Sequence, residues 1–179
     1  MNIKTILLSP LAAFLVACAS NPSLPAQESR SATAAAMEVS LVDEGVYETL
    51  GDTQNIAAPQ TAAGRIGEHG GLNLLAATNS LIAKKGITFG YRFVLKGPYD
   101  GAVSGFEMHV VHPAMRGVDG KTHTTQTASI EIDFEKGIAY HDIVYILSED
   151  FEVLPGEWAL EIRFQGKPVL SRRFTLRSQ

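Results

Sequence analysis

Two methionines and two histidines lie close together in one stretch of the chain, at Met108, His109, His112 and Met115. Thioether and imidazole groups are ligands suited to copper in an oxidising compartment, so this stretch is a candidate metal site. In an unbroken strand, however, His109 and His112 would point to opposite faces, and Met108 would face the core. The spacing therefore predicts no metal site and no cofactor, and it predicts histidines that lie at the surface.

A bulge is the alternative to this prediction. If a bulge interrupted the strand before Pro113, His109 and His112 could point to the same face, and His123 or His141 could join them from other strands. Handling of copper or zinc is accordingly the rival function that this part of the sequence keeps open.

Hydrolytic chemistry has weaker support. Glu131, Asp133 and Glu135 place three carboxylates on one strand face, where they could bind calcium or act as acid and base, but such a row is usually the solvated side of a sheet. Residues 101–105 (Gly-Ala-Val-Ser-Gly) do not have the Gly-x-Ser-x-Gly spacing of a nucleophile elbow. The sequence predicts no catalytic residue.

Two aromatic residues could contact a ligand. Trp158 could stack on a sugar, but it shares its register with Leu160, Ile162 and Phe164, which predicts a core position. Tyr99 lies in a loop, where binding residues concentrate, and is the better candidate for an exposed binding aromatic. The alternative for Tyr99 is that it only covers one end of the fold.

Cys18 is the only cysteine, so no disulfide can form within one chain and cysteine-ligated zinc is excluded. The segment before it has a positive start at Lys4 and an apolar run at 5–16, which suits a secretory signal but is short for a bilayer span. The run ends in Leu-Val-Ala-Cys, which resembles the lipobox of bacterial lipoproteins. That resemblance implies cleavage between Ala17 and Cys18, with a diacylglycerol on the Cys18 sulfur and an acyl chain on its amine.

Residues 19–36 contain no aromatic residue, two prolines and many small polar residues, so they cannot bury enough surface to offset their ordering entropy. We expect residues 1–17 to be a signal peptide, 18–36 a lipidated, flexible tether, and 37–179 one folded domain. Ala19 stands where an aspartate would retain such a lipoprotein at the inner membrane. The resemblance therefore implies a periplasm-facing anchor in the outer membrane, with the inner membrane as the alternative.

The folded part is predicted to be all-β. From 37 onward, apolar and polar residues alternate with period two between glycine and proline turns, most clearly in 87–95. Further strands are predicted at 37–47, 106–111, 130–135 and 143–147, and a final hairpin at 158–176 that turns at residues 166–168. Residues 51–71 are expected to be a loop, and 74–85 either a strand and turn or a short helix. About seven strands favour an immunoglobulin-like β-sandwich.

Four short motifs occur along this domain: residues 45–47 (Gly-Val-Tyr), 86–90 (Gly-Ile-Thr-Phe-Gly), 112–113 (His-Pro) and 155–158 (Pro-Gly-Glu-Trp). With their spacing, the chain resembles the bacterial family known as domain of unknown function 3859 over roughly residues 38–177. The resemblance implies an immunoglobulin-like fold and no particular activity, so no active-site residue is carried over.

The net charge of −4 offers no clustered basic surface, which makes nucleic acid an unlikely partner. The sequence as a whole predicts a non-enzymatic binding or structural module of the cell envelope, held on a membrane by Cys18. Its partner is expected to be another envelope protein or a glycan. A copper or zinc protein is the alternative, and a hydrolase of envelope polymers is the less favoured one.

Overall fold

Period-two alternation of apolar and polar residues produces long strands that stack as two sheets. The computed structural model describes residues 37–178, which contain eleven strands and one short 3₁₀ turn. The strands are β1 (Glu38–Leu50), β2 (Gln54–Ala57), β3 (Arg65–Glu68), β4 (Gly71–Ala76), β5 (Ser80–Ile82), β6 (Thr88–Lys96), β7 (Gly101–Arg116), β8 (Thr122–Phe134), β9 (Ile138–Ile146), β10 (Gly156–Phe164) and β11 (Lys167–Arg177). The 3₁₀ turn is Asp150–Glu152.

The first sheet has four strands in the order β4-β1-β6-β9, and the second has five in the order β5-β11-β10-β7-β8. All neighbouring strands in them are antiparallel except β5 and β11, which are parallel. Strands β2 and β3 form a separate two-stranded ribbon. The prediction of an all-β sandwich is confirmed.

Apolar residues between the two sheets form the core. In β6, Phe89, Tyr91, Phe93 and Leu95 have almost no exposed surface, and in β10 the same holds for Trp158, Leu160 and Ile162. These are the alternate residues that the sequence placed on inward faces. Burial of each large side chain stabilises the fold by about 1.5–3 kcal/mol relative to leaving it in water.

All seven predicted strands are present, but the expected loop at 51–71 contains the β2–β3 ribbon and the start of β4. That prediction was wrong because β2 and β3 have only four residues each and are largely exposed, so they lack an apolar alternation. Residues 74–85 contain the end of β4 and all of β5, so the strand alternative is correct there. No helix forms at those residues.

The turn of the final hairpin also differs from the prediction. Lys167 and Pro168 already belong to β11, and the turn residues are Gln165 and Gly166, whose φ angles are 51° and 75°. Positive φ at both positions is typical of the type I′ turn, whose twist matches that of paired strands. Lys136 and Gly137, with φ angles of 51° and 83°, make the same kind of connection between β8 and β9.

Glycines in two of the sequence motifs allow strands of the first sheet to approach closely. Gly45 pairs with Gly90 in the β1–β6 ladder. A Cβ atom on Gly90 would lie 2.1 Å from the carbonyl oxygen of Ile143, and one on Gly45 would lie 2.0 Å from that of Ala76. These positions therefore have no room for a side chain unless the neighbouring strands shift.

The signal peptide, the lipidation site at Cys18 and the tether were predicted for residues 1–36, which lie outside the described residues. Within residues 37–178, no helix has the length and the apolar character needed to cross a bilayer.

Candidate functional site

The two sheets are open along one side, where β8 and β9 separate. These strands follow one another through the turn at Lys136 and Gly137 and share a single bridge, Glu135 to Ile138. Beyond that bridge, β8 becomes the edge of the five-stranded sheet and β9 the edge of the four-stranded sheet. We call the gap between their facing edges the seam.

A cavity of about 890 Å³ runs along the seam. Six consecutive residues of β9, residues 141–146, line it together with three consecutive residues of β8, residues 129–131. Neighbouring residues of a strand point to opposite faces, so a cavity that touches every residue in turn follows the edge of the strand. The ribbon supplies another wall, since residues 65–69 also line the cavity.

A chain of buried polar groups connects the seam to the core. The Gln126 side-chain amide donates to the Tyr145 hydroxyl at 2.8 Å, and that hydroxyl donates to Glu152 Oε1 at 2.8 Å. Glu152 is 2% exposed, and its Oε2 accepts from the Ser148 backbone at 2.8 Å, the Ser148 hydroxyl at 3.1 Å and the Glu149 backbone at 2.8 Å. A buried carboxylate is costly unless such donors surround it, and here both oxygens of Glu152 accept hydrogen bonds.

The same network sets the protonation of its phenol. Burial and the nearby Glu152 carboxylate raise the pKa of Tyr145 well above its usual range, so the hydroxyl remains a donor at neutral pH. Gln126 and Tyr145 both line the seam cavity. Part of its wall is therefore formed by an amide and a neutral phenol that hydrogen-bond to each other.

His112 lies at the inner end of this chain, and the prediction of a surface histidine was wrong for it. It is 4% exposed, and its ring lies 5.3 Å from that of Trp158. Its Nδ1 contacts the Pro113 carbonyl at 2.8 Å, so Nδ1 carries the proton and Nε2 accepts from Gln126 at 3.2 Å. Burial lowers the pKa of His112, which favours the neutral imidazole.

The bulge named as the alternative in the sequence is present. The β7–β8 register shifts between Val111 and Met115, so that Met115 is buried on the same side as His112. Met115 Sδ lies 4.0 Å from Gln126 Nε2, the nitrogen that also contacts His112.

The other two members of the methionine and histidine group lie elsewhere. The His109 ring contacts the Thr127 hydroxyl at 3.1 Å on the opposite face of the sheet, while Met108 is half-buried and lines the seam cavity. The four side chains therefore do not converge. Among residues 37–178, no group of three or more histidine, aspartate, glutamate or cysteine side chains has the geometry to hold a metal ion.

A histidine and an aspartate meet at the rim of the seam. His69 Nε2 lies 3.2 Å from Asp142 Oδ2, which joins the end of the ribbon to β9. His69 Nδ1 is buried and has no hydrogen-bond partner among the described residues. A polar group from a ligand or water would satisfy this nitrogen. Neighbouring His141 lines the same cavity, and burial lowers its pKa.

Carboxylates outnumber unpaired cations along the seam. Glu68, Glu131 and Asp142 line the cavity, and Glu68 and Glu131 are exposed. Arg65 also lines it, but its guanidinium is paired with Glu149. The lining therefore carries more carboxylates than Lys or Arg side chains.

The remaining candidates from the sequence lie away from this network. Tyr99 is half-buried, with its ring 5.3 Å from Phe134 and 6.0 Å from Phe164, so it covers an end of the sandwich. The row of Glu131, Asp133 and Glu135 is exposed, and of the three only Glu131 lines the seam cavity. Trp158 is 1% exposed and lies in the core.

Sequence reasoning missed Gln126, Tyr145 and Glu152. Gln126 sits in a polar run of β8, and Glu152 follows two other acidic residues, so neither stands out from a solvated surface. Tyr145 was placed in an apolar strand without a partner for its hydroxyl. Only the fold brings the three side chains together.

Comparisons with known proteins agree with this architecture. A family model described as a domain of unknown function (DUF3859) matches residues 35–176. The crystal structure of an immunoglobulin-like protein from Pseudomonas aeruginosa is similar at 22% identity, with a TM-score of 0.56 over 78% of this chain and 97% of that one. This likeness confirms the predicted immunoglobulin-like fold.

A second structure, the Pseudomonas fluorescens alkylpurine DNA glycosylase AlkC bound to DNA containing an abasic site analog, is 10% identical and has a TM-score of 0.35. It covers 55% of this chain and 28% of the glycosylase, and a likeness at that level carries no argument. No curated protein matches the chain.

Proposed function

This chain belongs to the DUF3859 family, and we propose that it is a lipid-anchored, non-enzymatic binding module of the bacterial cell envelope whose ligand occupies the seam. The observation that carries the proposal is the cavity of about 890 Å³ between the facing edges of β8 and β9. Its size falls within the range of about 300–1,000 Å³ that is usual for ligand sites.

Two features of the seam favour binding. Its wall combines apolar residues such as Met108 and Ile130 with a few polar groups held in place by the network through Gln126 and Tyr145. The buried Nδ1 of His69 also has no hydrogen-bond partner among the described residues, although such groups normally find one. Ligand sites are typically built in this way, from an apolar surface with few, well-positioned polar groups.

The anchor is supported by the sequence pattern that ends in Ala17 and Cys18. A thioether-linked diacylglycerol together with an N-acyl chain gives stable attachment, whereas a single chain gives only marginal binding. With a tether of residues 19–36, the seam would face partners close to the membrane, most simply the periplasmic side of the outer membrane.

Fatty-acid labelling tests the anchor. The Cys18→Ala variant of the full chain should lose incorporation of radiolabelled palmitate and should no longer fractionate with the outer membrane. Ser20→Ala, two residues away, is the matched control and should retain both. Label in the Cys18→Ala variant would contradict the lipoprotein assignment.

Photo-crosslinking in intact cells tests the seam. A photoreactive amino acid in place of Ser129, an exposed residue of the seam, should give a discrete crosslinked product. The control is the same substitution at Asn73, which is exposed on β4 at the other edge of the four-stranded sheet. Equal crosslinking at both positions, or none at Ser129, would count against a ligand in the seam.

A further inference from the structure

The backbone of β9 directs hydrogen-bonding groups into the seam. At one end, Ile138 exchanges both backbone hydrogen bonds with Glu135, at 3.1 and 2.8 Å, on the side away from β6. At the other end, the Leu147 amide donates to the Ile87 carbonyl at 3.0 Å, on the side of β6. Because these directions alternate along an antiparallel strand, Tyr140, Asp142, Val144 and Ile146 turn their N–H and C=O groups away from β6.

These outward groups have no strand partner among the described residues. Beyond the Glu135–Ile138 bridge, β9 pairs with β6 alone, and the ribbon pairs only within itself. A Cβ atom on Gly67 would lie 3.5 Å from Ile146 Cδ1, so the ribbon packs beside β9 through side chains. The cavity lies along the edge that is left open.

The edge of β9 lacks three of the usual protections against pairing, namely lysine, proline and a bulge. Natural sheets block exposed edges with lysine, proline, bulges or a covering segment. The four outward-turned positions of β9 carry tyrosine, aspartate, valine and isoleucine, and the β6–β9 register is continuous from Thr88–Ile146 to Lys96–Ile138. A strand with this composition and a regular register is a template for one more strand.

We propose that the seam binds an extended polypeptide segment with basic side chains, which adds to the four-stranded sheet as a new strand along β9. This inference rests on the proposed binding function of the seam. Backbone hydrogen bonds to residues 140, 142, 144 and 146 provide affinity, as in other cases of strand addition. The carboxylates of Glu68, Glu131 and Asp142 select lysine or arginine on the added strand.

Charge argues against a second copy of this chain as the occupant. Pairing of β9 with β9 of another copy would bring a second set of the same carboxylates into the seam, and like charges on neighbouring strands destabilise pairing. A basic segment instead neutralises the carboxylates that line the cavity.

The test uses the full-length lipoprotein in detergent and a fluorescent, capped peptide of alternating valine and lysine. We expect saturable binding by fluorescence anisotropy, and at least about tenfold weaker binding of the matching valine and glutamate peptide. In amide hydrogen exchange followed by NMR, the amides of Tyr140, Asp142, Val144 and Ile146 should exchange fast in the free protein. They should become protected when the valine and lysine peptide is added.

Val144→Pro removes one outward donor without breaking a bond to β6, and proline is tolerated at an open strand edge. It should weaken binding of the valine and lysine peptide by about tenfold or more, while Val144→Ala, which keeps the amide, should stay within about threefold. Peptides N-methylated at alternate residues provide a second test that leaves the protein unchanged. Methylation of the amides on the peptide edge that faces β9 should abolish binding, whereas methylation on the opposite edge of the peptide should not.

Absence of binding by the valine and lysine peptide, or equal binding by Val144→Pro and Val144→Ala, would overturn the inference. Protection of the four amides without peptide, together with a dimer in sedimentation, would identify a second copy as the occupant and would also overturn it. If Ser129 crosslinks in cells while the peptide fails to bind, the seam is a binding site for another class of ligand.

Discussion

The Tyr145 hydroxyl donates a hydrogen bond of 2.8 Å to Glu152 Oε1, which ties a core strand to the short 3₁₀ turn at the end of the sandwich. The same hydroxyl accepts from Gln126 at 2.8 Å, so β8, β9 and the turn share one phenol oxygen. The carboxylate of Glu152 also accepts from Ser148 and Glu149. The Tyr145 hydroxyl therefore links the two strands that border the seam to the 3₁₀ turn at the end of the sandwich.

Tyr145→Phe should destabilise the protein by about 1–3 kcal/mol, because it leaves a buried Glu152 oxygen without its donor and the Gln126 amide without one of its acceptors. Chemical denaturation followed by Trp158 fluorescence measures this change. Tyr140→Phe is the matched control, since Tyr140 is 77% exposed on the same strand. A cost for Tyr145→Phe no larger than that for Tyr140→Phe would mean that the network does not stabilise the fold.

Trp158→Ala should destabilise the protein by about 3–5 kcal/mol, the usual cost of removing a large buried aromatic side chain. Trp158 is 1% exposed, packs edge-on against Phe89 at 5.7 Å, and donates from its indole to the Leu154 carbonyl at 3.2 Å. Equilibrium unfolding by far-ultraviolet circular dichroism tests this without relying on the tryptophan itself. A shift below about 1 kcal/mol would contradict the core assignment.

Most of the fold could be predicted from the sequence, but little of the site could, and the reason is physical. Inward-facing residues such as Phe89 and Leu160 repeat with period two, so the sandwich could be predicted from local pattern alone. The seam instead depends on which strands become edges, and this is decided by pairing between distant parts of the chain. The burial of Met115 on the same side as His112 likewise depends on a bulge that the sequence suggested only as an alternative.

Stability should fall as the pH decreases below about 6.5, the ordinary pKa of histidine. Burial lowers the pKa of His112, His141 and His109 in the folded protein, so the unfolded chain takes up protons that the folded chain resists. Their contribution is fully present above the unfolded pKa and is lost as the pH falls towards the lowered folded values. Near His112, the charge of His123 adds to this effect, and Glu152 opposes it.

Urea unfolding between about pH 7.5 and about pH 5 measures this dependence. His112→Gln should reduce the dependence of the free energy of unfolding on pH. His123→Gln, at the exposed β7–β8 hairpin, should retain most of that dependence. Equal slopes in the wild-type protein and the His112→Gln variant would show that His112 is not the group whose protonation opposes folding.

The protein should bind neither copper nor zinc tightly. His112 Nε2 and Met115 Sδ both face the Gln126 amide nitrogen, at 3.2 and 4.0 Å, so the amide occupies the position a metal ion would need. His109 lies on the opposite face beside Thr127 and cannot supply a further ligand to that position. Binding would therefore require Gln126 to leave Tyr145 and His112, which would leave buried polar groups unpaired.

Titration of the metal-free protein with Cu(I), Cu(II) and Zn(II), compared with a variant carrying both His109→Ala and His112→Ala, tests this prediction. Weak binding that is equal in both proteins is the expected result. Saturable one-to-one binding at sub-micromolar concentration that the double variant loses would instead favour metal handling over capture of a ligand in the seam.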